Sequence, residues 1–308
     1  MITMDDRDGV IWLDGEMMPW REAKVHVLTH TLHYGMGVFE GIRAYKTDNG
    51  TAIFRLKAHT DRLFNSAHIL HMPMPYDKAT INEVMCAVIR ENQLETAYVR
   101  PMCFYGAEDM GLRAQGLKVH VMIAAWKWDK YIDNPESIKN GLRVATSSFT
   151  RHHVNITMCR TKSNGNYINS MLALQESVAN GYDEAMLLDA EGYVAEGSGE
   201  NIFLVHDGAI YTPLLTSALD GITRATICTL AQDMKIPVHE KLITRDEVYV
   251  SDEAFFTGTA IEVMPIREVD RLTIGKGQRG PITERLQSCY LDTVHGRIPE
   301  YNDWLTYV

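Results

Sequence analysis

The sequence predicts a mixed α/β fold divided into two domains. Short apolar runs that read as strands alternate with amphipathic helical patterns, as in the strand-to-helix stretch 52–70. A length of 308 residues accommodates two domains of ordinary size. The stretch 126–141 changes to charged and turn-forming residues, which is typical of a linker. We therefore predict a smaller N-terminal domain over 1–126, a linker over 127–136 and a larger C-terminal domain over 137–308.

The composition excludes several classes of protein. The net charge of −10 argues against a nucleic-acid or anionic-membrane partner, because both require a basic surface. The five cysteines are scattered and contain no CxxC pair, so neither a disulfide framework nor a thiolate metal site is indicated. The acidic start MITMDDRDGV lacks the features of a signal peptide, and no apolar run could span a bilayer. We expect a soluble, cytoplasmic protein.

The N-terminal half reads as strands and helices in alternation. Apolar runs around Asp14-Gly15 predict a hairpin over 10–19, because this dipeptide favours a tight turn. The stretch 80–94 has helical periodicity, and 120–128 is an apolar strand. In the strand 97–106, Tyr98 and Arg100 alternate onto one face and Val99 onto the other.

Three histidines, His26, His30 and His33, fall on helical spacing and could hold a metal. They have no acidic partner in the pattern of a metalloprotease helix, so packing or hydrogen bonding is the favoured interpretation. A GxGxxG match at 275–280 has no complete βαβ unit after it and is interpreted as a loop.

The C-terminal half centres on Lys162, which ends a polar run and precedes a turn-forming set at 163–166. An amphipathic helix follows and stops at Asn180-Gly181. A lysine on a small-residue turn between strand and helix is well placed to face a cleft. The apolar face of the helix is predicted to consist of Tyr167, Met171, Leu174 and Val178.

Turn-forming residues divide the remaining chain. Hairpins are predicted around residues 190–192 and at Asp207-Gly208. A helix beginning just after Gly221 exposes backbone N–H groups that could bind an anion. The stretch 253–266 is predicted to be one strand, broken by small residues at 257–260 that could approach a ligand.

Four of these features occur together: Lys162 on its turn, Glu196 in YVAEGSGEN, the helix start GIT, and TGTA at 257–260. The set resembles the branched-chain aminotransferases, which are fold-type IV pyridoxal phosphate enzymes. The matching segments run in family order from KVHVLTHTLHYG to EAFFTGTAIEVMPI. The resemblance implies a two-domain enzyme with pyridoxal 5'-phosphate between the domains.

The resemblance also implies which residues bind the cofactor. Lys162 would bond to the cofactor aldehyde and later carry a proton. Glu196 would keep the pyridine nitrogen protonated, and the Tyr167 hydroxyl would donate to the ring oxygen. The phosphate would be bound by Arg62, by backbone groups of Ile222 and Thr223, and by Thr259.

A pocket that accepts both apolar and acidic amino acids is implied as well. Arg100 would pair with the distal carboxylate of glutamate, and Leu112 would reach across a dimer interface to cap the neighbouring pocket. The apolar wall would consist of Phe39, Trp128 and Tyr131, with Tyr34 nearby. The α-carboxylate would be bound by Tyr98 and by backbone groups of Thr259 and Ala260.

The activity so implied is ping-pong transfer of the amino group between L-leucine, L-isoleucine or L-valine and 2-oxoglutarate. Its partners would be these amino acids, glutamate and 2-oxo acids, without a metal, in a homodimer or larger homo-oligomer. The alternatives are another fold-type IV enzyme (a D-amino acid or amine aminotransferase, or aminodeoxychorismate lyase) or a non-catalytic protein that binds a small molecule or a metal through the histidines.

Overall fold

The structure, a computed structural model, describes residues 3–114, 116–128 and 135–308, apart from the side chains of 135–137. Contacts group the chain into two compact units. The first comprises Met1–Asp129, Thr161–Gly165 and Val294–Val308, and the second comprises Lys130–Arg160 and Asn166–Thr293. The turn of Lys162 thus groups with the first unit, although the sequence assigned it to the C-terminal domain. The linker over 127–136 lies largely outside the described residues and stays a prediction.

The first unit is built on an antiparallel sheet. Its strands, numbered along the chain in the described ranges, are β1 (Val10–Leu13), β2 (Glu16–Pro19), β3 (Gly37–Phe39), β4 (Ile42–Thr47), β5 (Gly50–Phe54), β6 (Ala97–Tyr105), β7 (Val119–Trp126) and β17 (Leu305–Tyr307). They run in the order β17-β5-β4-β6-β7-β1-β2, and β3 pairs with β6. The helices are α1 (His30–Tyr34), α2 (Leu56–Ile69) and α3 (Lys78–Glu91), with 3-10 turns at Trp20–Glu22 and Pro299–Trp304.

Local sequence explains these elements. The helix α3 begins after Asp77, whose side chain accepts the N–H of Thr80 at 2.8 Å. Its buried residues Ile81, Met85 and Ile89 are spaced four apart and pack into the core of the unit. The β1–β2 turn has positive φ at Asp14 and Gly15, as the Asp-Gly signal predicts. The predicted hairpin and helix are confirmed.

The second unit contains a mixed sheet. Within the described ranges its strands are β8 (Leu142–Thr146), β9 (Glu184–Leu188), β10 (Val194–Gly197), β11 (Asn201–His206), β12 (Ala209–Pro213), β13 (Val238–Lys241), β14 (Glu253–Gly258), β15 (Glu262–Val269) and β16 (Leu272–Thr273). The order is β10-β9-β8-β15-β14-β11-β12-β13, with β16 on β15. The pairs β8–β9, β8–β15 and β12–β13 are parallel. The helices are α4 (Pro135–Asn140), α5 (Tyr167–Ala179), α6 (Ile222–Asp233), α7 (Arg245–Tyr249) and α8 (Pro281–Val294).

The predicted apolar face of α5 is wrong in part. The helix starts at Tyr167 as expected, but Met171 and Val178 are 59% and 58% exposed. The buried residues of α5 are the small ones, Ser170, Ala173 and Ser177. Small side chains let the helix lie close to β9, so the larger apolar side chains turn outward.

The break at 257–260 is also different from the prediction. Instead of one kinked strand, β14 and β15 form an antiparallel hairpin in which Gly258 pairs with Glu262. Thr259, Ala260 and Ile261 therefore form the turn of this hairpin. In the part of the chain that the structure describes, no helix is both long and apolar enough to cross a membrane.

Candidate active site

The turn that carries Lys162 is fixed by its backbone. The N–H of Phe39 donates to the carbonyl oxygen of Lys162 at 3.0 Å, and the N–H of Lys162 donates to Ser66 Oγ at 3.1 Å. Farther along, the N–H of Asn164 donates to the carbonyl oxygen of Gly37 at 2.9 Å. The turn of Lys162 is thus held by hydrogen bonds to β3 and to the Ser66 side chain of α2. Its position does not depend on its own side chain, which is half-buried.

Aromatic and cationic side chains cluster beside this lysine. Lys162 Nζ lies 5.2 Å from the centre of the Phe39 ring, and Arg100 Cζ lies 4.7 Å from the same ring. Arg100 Nη2 donates to Tyr98 Oη at 3.2 Å, and the Tyr98 and Trp128 rings are 4.2 Å apart. The structure therefore brings together five of the residues predicted for the site. The alternation of Tyr98 and Arg100 onto one face of β6 is confirmed.

Arg62 forms a buried network that the sequence analysis missed. Its Nε and Nη2 donate to the two oxygens of Glu40 at 2.6 and 2.8 Å, and His59 Nδ1 donates to Glu40 Oε2 at 2.8 Å. Burial alone would raise the pKa of the Glu40 carboxyl, but the charge and hydrogen bonds of Arg62, with His59, hold it well below its usual range. Burial lowers the pKa of His59 despite its bond to Glu40, which favours the neutral imidazole.

In the second unit, Glu196 lies in a buried ion pair. Its Oε1 is 2.7 Å from Arg151 Nη2, with 5% and 8% of the two side chains exposed. The N–H of Leu219 donates to Glu196 Oε2 at 3.2 Å, and Arg151 Nη1 donates to Ser170 Oγ at 3.3 Å. The carboxylate is therefore oriented from two sides. A surface position for this hairpin glutamate is excluded by its burial.

Backbone and side-chain donors lie at the start of α6 and in the strand beside it. Gly221 precedes the helix in an extended conformation and has no side chain with which to cap the N–H groups of Ile222 and Thr223. In the neighbouring strand β14, Thr257 Oγ1 is buried without a hydrogen-bond partner among the described residues. Such uncapped and orphaned polar groups indicate a missing partner. A phosphate fits this set of donors, and the buried carboxylate of Glu196 in the same unit fits the ring nitrogen of pyridoxal phosphate.

The other predicted site residues that the structure describes lie at a helix start, in a turn and in a loop. Tyr167 is the first residue of α5, and Thr259 and Ala260 lie in the half-buried β14–β15 turn. Leu112 is 88% exposed, in the loop between β6 and β7. Tyr131 lies outside the described residues, so its role in the apolar wall stays a prediction. Arg160, two residues before Lys162, lies at the surface, 3.9 Å from Asp220.

The metal-binding alternative gains no support from the three histidines. The helix α1 starts at His30, so His26 precedes it. His30 Nε2 bonds the carbonyl oxygen of Gly111 at 2.7 Å, and His33 Nε2 bonds that of Val27 at 2.9 Å. Over 3–114, 116–128 and 135–308, these histidines are not part of a cluster of potential metal ligands. They act as hydrogen-bonding residues of the N-terminal segment.

Sequence reasoning missed Glu40, His59 and Arg151. A signal existed for Glu40, because an acid in the apolar run VFEGI must either face solvent or be paired. His59 and Arg62 are three apart on a helix, so one carboxylate can reach both. No local pattern points to Arg151, since its partner Glu196 is distant in sequence and only the fold brings them together.

Comparison with known proteins agrees with this geometry. The family model described as amino-transferase class IV matches residues 37–269. A branched-chain-amino-acid aminotransferase of Pseudomonas aeruginosa is 65% identical over 307 residues, covering 100% of both chains. Two crystal structures of the T.th. branched-chain amino acid aminotransferase, one complexed with N-(5'-phosphopyridoxyl)-L-glutamate and one with 4-methylvaleric acid, are each similar to this chain. For each structure the sequence identity is 46%, the TM-score is 0.94, and the match covers 98% of this chain and 99% of the other. The chain is an enzyme that belongs to the class IV aminotransferase family.

Proposed function

We propose that this chain is a pyridoxal phosphate-dependent branched-chain-amino-acid aminotransferase with 2-oxoglutarate as amino acceptor. The observation that carries the proposal is the cluster in which Lys162 Nζ and the Arg100 guanidinium both lie near the ring of Phe39. These three side chains supply an amine for cofactor chemistry, an apolar surface and a cation for an acidic substrate. The name of the Pseudomonas aeruginosa relative supports the same activity.

The residues divide the work on the cofactor between them. Bound pyridoxal phosphate would supply an aldehyde and an electron-withdrawing ring. Lys162 would attach the aldehyde and afterwards move a proton at its Nζ. Glu196, held by Arg151, would keep a proton on the ring nitrogen, and the Tyr167 hydroxyl would donate to the ring oxygen. The phosphate would be bound by Arg62, Ile222, Thr223 and Thr259.

The substrate pocket would serve two kinds of side chain in turn. Phe39 and Trp128 would contact the branched side chain of leucine, isoleucine or valine, with Tyr131 completing the wall. Arg100 would pair with the distal carboxylate when glutamate or 2-oxoglutarate binds. The α-carboxylate of every substrate would be bound by Tyr98, Thr259 and Ala260. The T.th. aminotransferase forms crystalline complexes with N-(5'-phosphopyridoxyl)-L-glutamate and with 4-methylvaleric acid, which supports one pocket for both kinds of side chain.

A panel of amino donors with 2-oxoglutarate tests this proposal. We expect formation of L-glutamate and the matching 2-oxo acid from L-leucine, L-isoleucine and L-valine. A preference for D-alanine or for an aryl amine would instead indicate another fold-type IV aminotransferase. Pyruvate released from aminodeoxychorismate would indicate the lyase.

Arg100→Met should separate the two substrate classes. Losing a charge-assisted hydrogen bond in a desolvated site costs about 1.5–3 kcal/mol, or about one to two orders of magnitude in specificity. The glutamate half-reaction should therefore slow by that factor, while the leucine half-reaction changes little. Single-turnover kinetics that follow cofactor absorbance measure both. Arg90→Met on the exposed side of α3 is the control, and equal losses for both donors would reject the dual-substrate role.

Gly41→Ala should impair binding of every substrate through Tyr98. A Cβ at Gly41 would lie 1.9 Å from Tyr98 Oη, so the hydroxyl must move. Because Tyr98 is buried, its ring has little room to adjust. We expect KM to rise for leucine and glutamate alike, and Tyr98→Phe to add little to the effect in the double variant. Fully additive effects would show that Gly41 acts elsewhere.

Leu112 should contribute to a neighbouring subunit's pocket. Leu112 is 88% exposed, so a neighbouring subunit that covered it would remove apolar surface from water. We expect a dimer or larger homo-oligomer in light scattering, and Leu112→Ser should raise KM for leucine. Leu272→Ser, another exposed leucine, is the control. A fully active wild-type monomer at assay concentration would contradict the proposal.

A further inference from the structure

The carboxylate of Glu40 is the most enclosed charge of the described network around Arg62. Its side chain is 0% exposed, that of its partner His59 is 2% exposed, and that of Arg62 is 13% exposed. A buried carboxylate is costly unless its oxygens are paired, and here each oxygen accepts from Arg62. Removal of Glu40 would leave the guanidinium of Arg62 without this partner.

The backbone around Glu40 is as fixed as its side chain. Glu40 directly follows β3, and its N–H donates to the carbonyl oxygen of Pro101 in β6 at 2.9 Å. The adjacent residue Phe39 bonds the backbone of Lys162. Glu40 therefore ties the guanidinium of Arg62 to the same short segment that holds the lysine turn.

The geometry of the Arg62–Glu40 pair restricts the guanidinium. Two parallel hydrogen bonds, from Nε and Nη2, define the plane of the group as well as its position. The side chain of arginine otherwise has many rotamers, and ordering them on binding a ligand costs free energy. His59 Nδ1 donates to Oε2 and so orients the carboxylate from a third direction.

We propose that Glu40, oriented by His59, is a positioning residue that fixes the guanidinium of Arg62 for the phosphate of the cofactor. The inference rests on the proposed function, which assigns Arg62 to that phosphate. The carboxylate offsets the charge of Arg62, so its contribution is orientation and not added attraction. Removing it should therefore weaken the phosphate contact even though a negative charge has been taken away.

Binding of pyridoxal and pyridoxal phosphate to the cofactor-free protein tests this role. Both compounds carry the aldehyde that Lys162 would bond. The ratio of the Kd of pyridoxal to the Kd of pyridoxal phosphate therefore measures the contribution of the phosphate to binding. We expect Glu40→Gln and Arg62→Met each to lower this ratio by about tenfold or more, the value of a hydrogen bond to a charged group. The Kd of pyridoxal should stay at its wild-type value. Glu95→Gln, which breaks the exposed Lys46–Glu95 pair, is the matched control and should leave the ratio unchanged.

Glu40→Asp keeps the experiment decisive if Glu40→Gln does not fold. Aspartate retains the charge but is too short to keep both bonds to Arg62, so the ratio should again fall. An unchanged ratio in a folded Glu40 variant, beside a lowered ratio in Arg62→Met, would overturn the positioning role alone. An unchanged ratio in Arg62→Met would instead refute the proposed phosphate contact of Arg62. Equal weakening of both compounds would show a merely structural role for Glu40.

Discussion

Lys162→Ala should lower kcat for amino transfer by about 10³-fold or more, because alanine can neither bond the cofactor aldehyde nor move the proton. The fold should survive the change, since the turn is held by the backbone bonds of residue 162 to Phe39 and Ser66. Initial rates with L-leucine and 2-oxoglutarate, together with the thermal melting curve, measure both effects.

Lys276→Ala, at an exposed position of the second unit, is the control for loss of a lysine and should keep wild-type rates. Borohydride reduction of the wild type should fix the cofactor to the peptide that contains Lys162. Substantial turnover by a folded Lys162→Ala variant, or attachment to another lysine, would reject the assignment.

Glu196→Gln should retain the cofactor and lose about a hundredfold in kcat. An amide cannot hold a proton on the ring nitrogen as a carboxylate does, so the stabilisation of negative charge in the transition state falls. The amide oxygen can still face the Arg151 guanidinium, which is 2.7 Å from Glu196 Oε1 in the wild type, so the buried guanidinium keeps a polar neighbour. Cofactor content and the rate of the first half-reaction should be measured on the same preparation.

Glu191→Gln is a matched control, because this residue is exposed in the β9–β10 turn of the same hairpin. It should leave both half-reactions unchanged. If the leucine half-reaction of Glu196→Gln runs at the wild-type rate, Glu196 is not the ring partner. If the variant loses the cofactor altogether, its ion pair with Arg151 acts in binding and not in turnover.

Several helices and turns could be predicted from the sequence, because neighbouring residues alone determine where they begin or end. The Asp14-Gly15 turn follows from positive φ angles that few residue types adopt readily. The helix α6 starts directly after Gly221, as the sequence predicts. The face of α5 did not follow from its sequence. Its apolar residues have the right period, but packing against β9 selects the small side chains, and this choice depends on the sheet.

Some residues of the site could also be identified from the sequence, whereas others could not. Lys162, Tyr98 and Arg100 could be identified from the sequence, because a family pattern and strand alternation point to them. The structure places Lys162 and Arg100 against Phe39 and Tyr98 beside Arg100, whereas their catalytic roles stay predictions. Arg151 could not be identified from sequence, because its charged partner Glu196 is brought near only by the fold. Glu40 left a signal in its apolar run, but only the fold shows that its partner is Arg62.

A stepwise single-turnover experiment tests the proposed reaction most directly. Purified enzyme with bound cofactor is first mixed with L-leucine alone and then, after removal of free leucine, with 2-oxoglutarate. The account predicts one equivalent of the branched 2-oxo acid per site in the first step, and one equivalent of L-glutamate with recovery of the original absorbance in the second. Release of no 2-oxo acid until both substrates are present, or formation of D-glutamate, would contradict it.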